Sequence, residues 1–131
     1  MDEIRMHQLA AHVLGEWNTH DVDRVVAVYT DDVLYFDPNT RGPVTGAEAL
    51  RHYLARFFSN WRMRWTLREA RLFTGGDGCA VTWHAAFQRT EGGSIVEIDG
   101  VKLVRLRGDL IARSEIYFDR TSLMPLLGPR R

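Results

Sequence analysis

The sequence predicts an α+β fold in which helices come early and a bent antiparallel sheet comes late. Two changes in pattern indicate this order. Apolar residues recur at helical spacing in the first part of the chain, and from Arg62 onward they alternate with polar residues at a period of two. Glycine-bearing stretches then separate the later apolar runs, as turns between neighbouring strands do. With 131 residues, the chain has the length of a single domain.

Three helices are predicted. The stretch from Met6 to Trp17 carries its apolar residues at the i, i+3, i+4 and i+7 positions of one helical face. Asp21 can cap a second, shorter helix that buries its valines. The pattern Thr45-Gly46-Ala47-Glu48 is a capping box, so we expect a third helix to begin there. The apolar stripe of this third helix comprises Leu50, Leu54, Phe57, Phe58 and Trp61.

Five strands are predicted, one before the third helix and four after it. The first ends on Asp37, and the second begins at Arg62 and changes phase near Glu69, where a bulge would account for the shift. The last three form an antiparallel meander and span roughly 78–90, 94–107 and 110–119. The final ten or so residues are expected to dock as a helical turn before a frayed end at 128–131.

Composition argues against several kinds of function. The 17 basic and 17 acidic residues cancel, so no global field favours nucleic acid or an anionic membrane as a partner. Cys79 is the only cysteine and the five histidines form no metal-binding motif, so we expect neither a metal nor a cofactor. The charged N-terminus lacks the apolar run of a signal peptide and no stretch could span a membrane, which indicates a cytoplasmic protein.

Asp37 is the first candidate for chemistry. It follows a run of apolar and aromatic residues and precedes Pro38, which favours an extended backbone and ends the strand. A carboxylate delivered by such a strand can lie at the lip of an apolar cavity and serve as a general base. The alternative is an exposed turn aspartate without a catalytic role. The loop that follows, from Asn39 to Gly46, is expected to be a mobile rim over the cavity.

Alternation in the last three strands indicates which side chains face inward. Lys102 is the one charge on an apolar face, so it either extends to solvent, which we favour, or is retained to bind an anion. Ser114 also points inward, as a core hydroxyl. In the third strand, periodicity alone buries Trp83. If His84 faces the cavity instead, the side with Trp83 and Phe87 becomes an outer apolar patch that requires a dimer.

Three groups of short motifs occur in an order that a known superfamily shares. They are Asp31-Asp32-Val33 with Asp37-Pro38, Gly46-Ala47-Glu48-Ala49-Leu50, and Tyr117-Phe118-Asp119. In this order they resemble the nuclear transport factor 2-like superfamily, particularly its SnoaL-like and ketosteroid-isomerase-like members. The resemblance implies a cone-shaped α+β barrel of three helices wrapped by a curved antiparallel or mixed sheet, an apolar pocket inside, and a homodimer through the outer sheet face. Residues 1–121 would form the SnoaL-like domain and residues 122–131 a C-terminal tail.

The resemblance also implies roles for single residues. Asp37 stands at the position of the catalytic base of ketosteroid isomerases. Val13 and Lys102 stand where those enzymes have their oxyanion-hole tyrosine and second acid, so their mechanism is not expected here. His84 facing Asp37 across the cavity would resemble the acid–base chemistry of SnoaL-type polyketide cyclases. The other residues expected to line the pocket are Trp17, Leu54, Phe58, Trp65, Thr82, Ser114, Ile116 and Phe118.

Two functions remain open from the sequence. In the first, Asp37 abstracts a proton next to the carbonyl of a small hydrophobic molecule, while His84, with Lys102 as a further candidate, stabilises or protonates the enolate. The reaction would be a cofactor-free isomerisation, cyclisation or dehydration. In the second, the chain is a non-catalytic module that binds a hydrophobic ligand or dimerises, and tryptophan side chains can fill its pocket. The fold does not choose between them.

Overall fold

A computed structural model of the chain describes residues 1–127, so the end predicted to fray, residues 128–131, lies outside the described residues. The helices are α1 (Glu3–Asn18), α2 (Val22–Val26) and α3 (Ala47–Asn60). The strands are β1 (Tyr29–Phe36), β2 (Val44–Thr45), β3 (Trp61–Leu72), β4 (Gly78–Arg89), β5 (Val96–Arg107) and β6 (Leu110–Tyr117). A 3-10 helix, Arg120–Leu126, crosses the boundary expected at residue 121 and buries Leu123.

The strands form one curved sheet in the order β2-β1-β6-β5-β4-β3. β1 runs parallel to β6 and the other neighbouring pairs are antiparallel, so the sheet is mixed. The sheet does not close on itself, since β2 and β3 form its two edges. The predicted α+β fold with a curved mixed sheet is confirmed, and the barrel is an open one. β2 lies in the segment that was expected to be a loop, where it pairs with Leu34 and Tyr35 of β1.

Aspartates begin two of the three helices. Asp2 and Asp21 accept hydrogen bonds from N–H groups in the first turns of α1 and α2. The predicted Asp21 cap is therefore confirmed, whereas the capping box at Thr45 is wrong. Thr45 is held in β2 opposite Leu34, and the residue that precedes α3 is Gly46. Gly46 has a φ of +88°, a conformation that glycine adopts without strain.

The edge strand β3 is tied to the end of α1 by two polar side chains. Asn18 accepts a hydrogen bond from the Trp65 N–H at 2.7 Å and donates one to the Trp65 carbonyl at 3.0 Å. His20 Nε2 accepts from the Met63 N–H at 3.1 Å, and burial lowers the pKa of His20, which favours the neutral ring that this bond requires. These bonds satisfy backbone groups that an edge strand leaves free. The predicted phase change is confirmed as a register shift next to Glu69.

Trp83 and Phe87 lie on the inner face of the sheet and are fully buried within one chain. Periodicity therefore predicts the inner face of β4 correctly, and the alternative in which His84 faces inward is wrong. A dimer through the side that carries Trp83 and Phe87 is wrong as well, because Trp65 and the other core side chains already cover both residues. A homodimer through the outer sheet face, where His84 lies, stays a prediction.

Gly100 leaves room for the Trp83 indole, which it faces across β4 and β5. A Cβ atom at Gly100 would overlap the Trp83 ring and lie 2.7 Å from the Tyr117 carbonyl oxygen. We expect Gly100→Ala to lower the free energy of unfolding by about 2 kcal/mol or more, since a packed core cannot absorb an overlap with backbone. Gly15→Ala is the control, because a Cβ there meets open space in α1 and should stabilise the helix by up to about 1 kcal/mol. Urea unfolding measures both changes, and an unchanged midpoint for Gly100→Ala would contradict this packing.

Candidate functional site

Aromatic side chains fill the interior of the cone. Between ring centroids, Trp17 lies 5.7 Å from Trp65 and 6.2 Å from Tyr35, and Trp65 lies 4.6 Å from Trp83. A cavity beneath α1 has a volume of about 20 Å³. That volume holds about one water molecule. The space beneath α1 is therefore closely packed, and the contacts among the three indoles agree with the alternative in which tryptophan side chains fill the pocket.

Nearly all residues expected to line a pocket do point inward, where they contribute to this core. The inward set comprises Val13, Trp17, Leu54, Phe58, Trp65, Lys102, Ser114, Ile116 and Phe118. Thr82 is wrong as a pocket residue, because it alternates with the buried Trp83 along β4 and is exposed on the outer face. There its hydroxyl accepts a hydrogen bond from the Glu69 N–H at 3.1 Å.

His84 lies on the outer face of the sheet and does not meet Asp37. Its Nδ1 is 2.8 Å from Asp99 Oδ1 and its Nε2 is 3.0 Å from Glu97 Oε1. The hydrogen bonds to Asp99 and Glu97 raise the pKa of His84. The predicted acid–base pair of Asp37 and His84 is wrong, because β4 turns His84 away from the cone when Trp83 points into it.

Lys102 is buried, so the expectation that it extends to solvent is wrong. It is 3% exposed, and its Nζ lies 5.7 Å from the centroid of the Trp17 ring, which is close enough for cation–π attraction. Helix α1 closes over this face of β5 through Val13 and Leu14, which border the same small cavity. Burial lowers the pKa of Lys102 to about 8.

Asp37 is a nearly buried carboxylate at the mouth of the cone, 9% exposed. Its Oδ1 accepts from the backbone N–H groups of Asn39 at 2.7 Å and Thr40 at 3.1 Å, so this oxygen organises the turn after β1. Its Oδ2 accepts from the hydroxyls of Tyr35 at 2.8 Å and Tyr53 at 2.6 Å. The aspartate is therefore a turn residue through one oxygen and part of a tyrosine–carboxylate cluster through the other.

The two tyrosines of this cluster are held as hydrogen-bond donors. Burial raises the pKa of Tyr35 and of Tyr53, and the negative charge of Asp37 raises both further. Tyr35 shares one face of β1 with Asp37 because the two are separated by a single residue, so strand alternation could have identified it. Tyr53 comes from α3, and nothing in the local sequence connects it to Asp37. Neither tyrosine was predicted from the sequence as a site residue.

A surface groove of about 310 Å³ begins beside Tyr53. Its lining residues are Asn39, Tyr53, Arg56, Phe57, Asn60, Trp61, Arg89, Arg120 and Leu127. Tyr53 and Arg56 also border a wider groove of about 830 Å³, which the loop 39–45 helps to form. Asp37 borders neither groove, but residues bonded to it do: Tyr53 and Asn39 line both grooves, and Thr40 lines the wider one. Of these three, only Tyr53 contacts the carboxylate through a side chain that can itself take part in proton transfer.

Residues 1–127 contain no group of three or more His, Cys, Asp or Glu side chains placed to hold a metal ion. The helices in this part of the chain are too short or too polar to cross a membrane.

Three helices packed against an open, curved six-stranded sheet define the nuclear transport factor 2-like fold. A nuclear transport factor 2-like protein from Burkholderia pseudomallei superposes with a TM-score of 0.83 at 16% identity, over 98% of this chain and 100% of that chain. SalBIII, an epoxide hydrolase/cyclase-like enzyme in pyran ring formation in the polyether salinomycin, gives 0.80 at 20% identity, over 92% and 95%. A protein with a ketosteroid isomerase-like fold from Catenulispora acidiphila, in complex with trimethylamine, gives 0.80 at 17% identity, over 90% of each chain.

At such low sequence identities, the superpositions show a shared fold only. The amino-acid sequence identifies the family within that fold: residues 10–114 match the SnoaL-like domain family, and the chain belongs to that family. The superfamily that the short motifs predict is thereby confirmed. No curated protein sequence matches the chain significantly.

His84 should contribute stability in a pH-dependent way. Because its pKa is raised in the folded chain above the ordinary 6.5, its stabilisation is fully present below about pH 6.5 and is lost as the pH rises through the folded value. We expect His84→Gln to lower the urea midpoint at about pH 5.5 and to change it much less at about pH 9. His7→Gln, on the exposed side of α1, is the control and should have no effect at either pH. If His84→Gln lowered the urea midpoint equally at both pH values, the positive charge of His84 would make no contribution to stability.

Lys102 should lower stability near neutral pH. Burial lowers its pKa from 10.5 to about 8. Below about pH 8 the folded chain therefore bears the whole cost of desolvating the charged ammonium. This cost falls to zero as the pH rises from about 8 to 10.5, because the buried amine is then neutral. We expect Lys102→Met to raise the free energy of unfolding at pH 7 by up to about 3 kcal/mol, from the size of the shift. Denaturation of wild type and variant at several pH values tests this, and the difference should shrink above about pH 8. A variant less stable than wild type at pH 7 would mean that the contact with the Trp17 ring outweighs the cost of burying the ammonium.

Proposed function

We propose that this chain is a cofactor-independent acid–base enzyme that moves a proton on a small hydrophobic carbonyl compound. The observation that carries this function is the environment of Asp37. Its carboxylate is nearly buried, and within the described residues it is bonded to hydroxyls and backbone N–H groups but to no Arg, Lys or His side chain. A carboxylate held in one orientation by four hydrogen bonds, one of them from the side chain of a residue that lines a surface groove, is a candidate general base.

The geometry supports proton transfer through Tyr53. Tyr53 lines the groove and donates its single hydroxyl proton to Asp37, so its oxygen lone pairs are not used by this bond and can accept a proton from a substrate. When that proton moves to Asp37, the tyrosine oxygen can take a proton from the carbon next to a substrate carbonyl. The carbon–hydrogen bond breaks, its electron pair stays on the substrate as an enolate, and Asp37 becomes neutral. The raised pKa of Tyr53 disfavours a free tyrosinate, so the proposed mechanism has the two proton transfers in one step.

Arg56 is placed to stabilise the enolate. It lies close enough to Tyr53 to act on its pKa, and it lines both grooves beside that residue. A fixed cation beside a developing oxyanion lowers the barrier to proton abstraction. Return of the proton to another carbon gives isomerisation, loss of a neighbouring hydroxyl gives dehydration, and attack on a second carbonyl gives cyclisation.

The packed interior favours a second candidate. Because Trp17, Trp65 and Trp83 occupy the centre of the cone, the same fold could serve as a non-catalytic module for binding a hydrophobic ligand or for dimerisation. In that case Asp37 would have only its role in the turn.

Hydrogen–deuterium exchange into substrate distinguishes the two candidates without knowledge of the product. A panel of hydrophobic ketones is incubated in D₂O with the protein, and loss of the signal from hydrogen next to the carbonyl is followed by NMR. We expect wild type to catalyse exchange, and Asp37→Asn and Tyr53→Phe each to lower the rate by about 10²-fold or more. Asp31→Asn, an exposed aspartate of β1, is the matched control.

The outcomes separate the roles of the two residues. Loss of exchange in Asp37→Asn with full activity in Tyr53→Phe would make Asp37 the direct base and remove the relay. Full activity in Asp37→Asn would leave only the turn role. Because Asp37→Asn also weakens hydrogen bonds to a charged acceptor, worth about 1–3 kcal/mol, circular dichroism should confirm that each variant is folded at the assay temperature.

A further inference from the structure

We propose, building on the function above, that the groove beside Tyr53 binds the anionic group of its substrate, and that the substrate class is a planar conjugated carbonyl compound carrying a carboxylate. The groove is the 310 Å³ surface depression between the end of α3, the start of β3 and the end of β4. Three arginines reach it from three separate parts of the chain. They are Arg56, Arg89 and Arg120.

The described residues 1–127 balance only part of the positive charge in the groove. Within the described residues, Arg56 forms no ion pair, and Arg120 donates to the neutral amide oxygen of Asn39 at 2.9 Å. Arg89 is 3.4 Å from Glu91, whose side chain is 68% exposed. Three guanidinium groups therefore share one solvated carboxylate, which leaves a local excess of positive charge. Arginine guanidinium groups bind carboxylates through two parallel hydrogen bonds, so a carboxylate is the anion that fits best.

The walls of the groove favour a flat, apolar ligand body. Tyr53, Phe57 and Trp61 provide partly exposed aromatic surface there, and Arg89 lies 4.7 Å above the Trp61 ring. Rings stack on such faces. The volume of about 310 Å³ is at the lower end of the range for small-molecule sites, about 300–1,000 Å³, which suits one or two fused rings.

The positions of Tyr53 and Arg56 on α3 would bring the reacting carbon of such a ligand close to Tyr53. Tyr53 and Arg56 are three residues apart on α3, so they lie one above the other on the same helical face. A ligand whose carboxylate meets Arg89 and Arg120 would extend its carbonyl end toward Tyr53. Arg56 then stands beside the carbonyl oxygen, where the enolate charge develops.

A matched pair of probes separates charge from shape. 2-Naphthoate and 2-naphthamide have nearly the same size and ring system, but only the first is anionic. Titration of the full chain followed by NMR should show naphthoate binding at least about tenfold more tightly than naphthamide, as expected for a charge-assisted hydrogen bond. Arg89→Gln and Arg120→Gln should each weaken naphthoate binding by about tenfold and leave naphthamide binding unchanged. Arg64→Gln removes an exposed arginine from the outer sheet face and is the control for net charge.

Equal affinities of wild type for the two probes, or no binding of naphthoate at millimolar concentration, would overturn the anion site. So would equal weakening by Arg64→Gln, which would indicate a general charge effect. Asp37→Asn distinguishes this inference from the proposed function, because it removes the base but none of the arginines, so it should retain naphthoate binding while losing proton exchange. Selective naphthoate binding in a protein that catalyses no exchange would support the site and reject the enzyme.

Discussion

The packing of Trp65 between Trp17 and Trp83 is the interaction on which the rest of the structure depends. Each indole buries a large apolar area, and together they fill the space that three helices and a curved sheet enclose. Gly100 is required because Trp83 occupies the volume of a side chain at that position. Asn18 binds both backbone groups of Trp65 and so holds the edge strand against α1. A core filled in this way leaves chemistry to the mouth of the cone.

At the mouth of the cone, Asp37 has both a structural role in the turn and a proposed role as the catalytic carboxylate. One carboxylate oxygen fixes the turn through Asn39 and Thr40, which restricts the orientation of the other oxygen. That second oxygen is then presented to Tyr35, which is anchored in the aromatic core, and to Tyr53, which borders the grooves. The turn thus provides the rigid support that a catalytic carboxylate needs. The turn role and the catalytic role, which were alternatives for the sequence, are compatible in the structure because they use different oxygens.

Sequence patterns predicted the elements that local chemistry determines and failed where distant segments compete. The helical spacing of α1, the Asp21 cap and the phase change near Glu69 each depend on a few neighbouring residues, and all three are confirmed. The capping box at Thr45 failed because pairing with β1 holds that residue in a strand. His84 was brought to Asp37 only by the resemblance, against the periodicity that buries Trp83. Tyr53 and the three groove arginines come from separate elements, so no local pattern could have grouped them.

The distribution of charge explains how a chain with no net charge can present an anion site. Several arginines elsewhere are neutralised by carboxylates, in the pairs Arg5 with Asp109, Arg24 with Glu16, and Arg107 with Asp32. Such pairs cancel at distances beyond the screening length of about 8–10 Å, so they contribute little field at the groove. Zero net charge therefore argues against long-range attraction of polyanions but says nothing about contact recognition. The proposed recognition at contact depends on the three arginines of the groove. Within the described residues Arg56 and Arg120 have no carboxylate partner, and Arg56 lies one helical turn from Tyr53, which is bonded to Asp37.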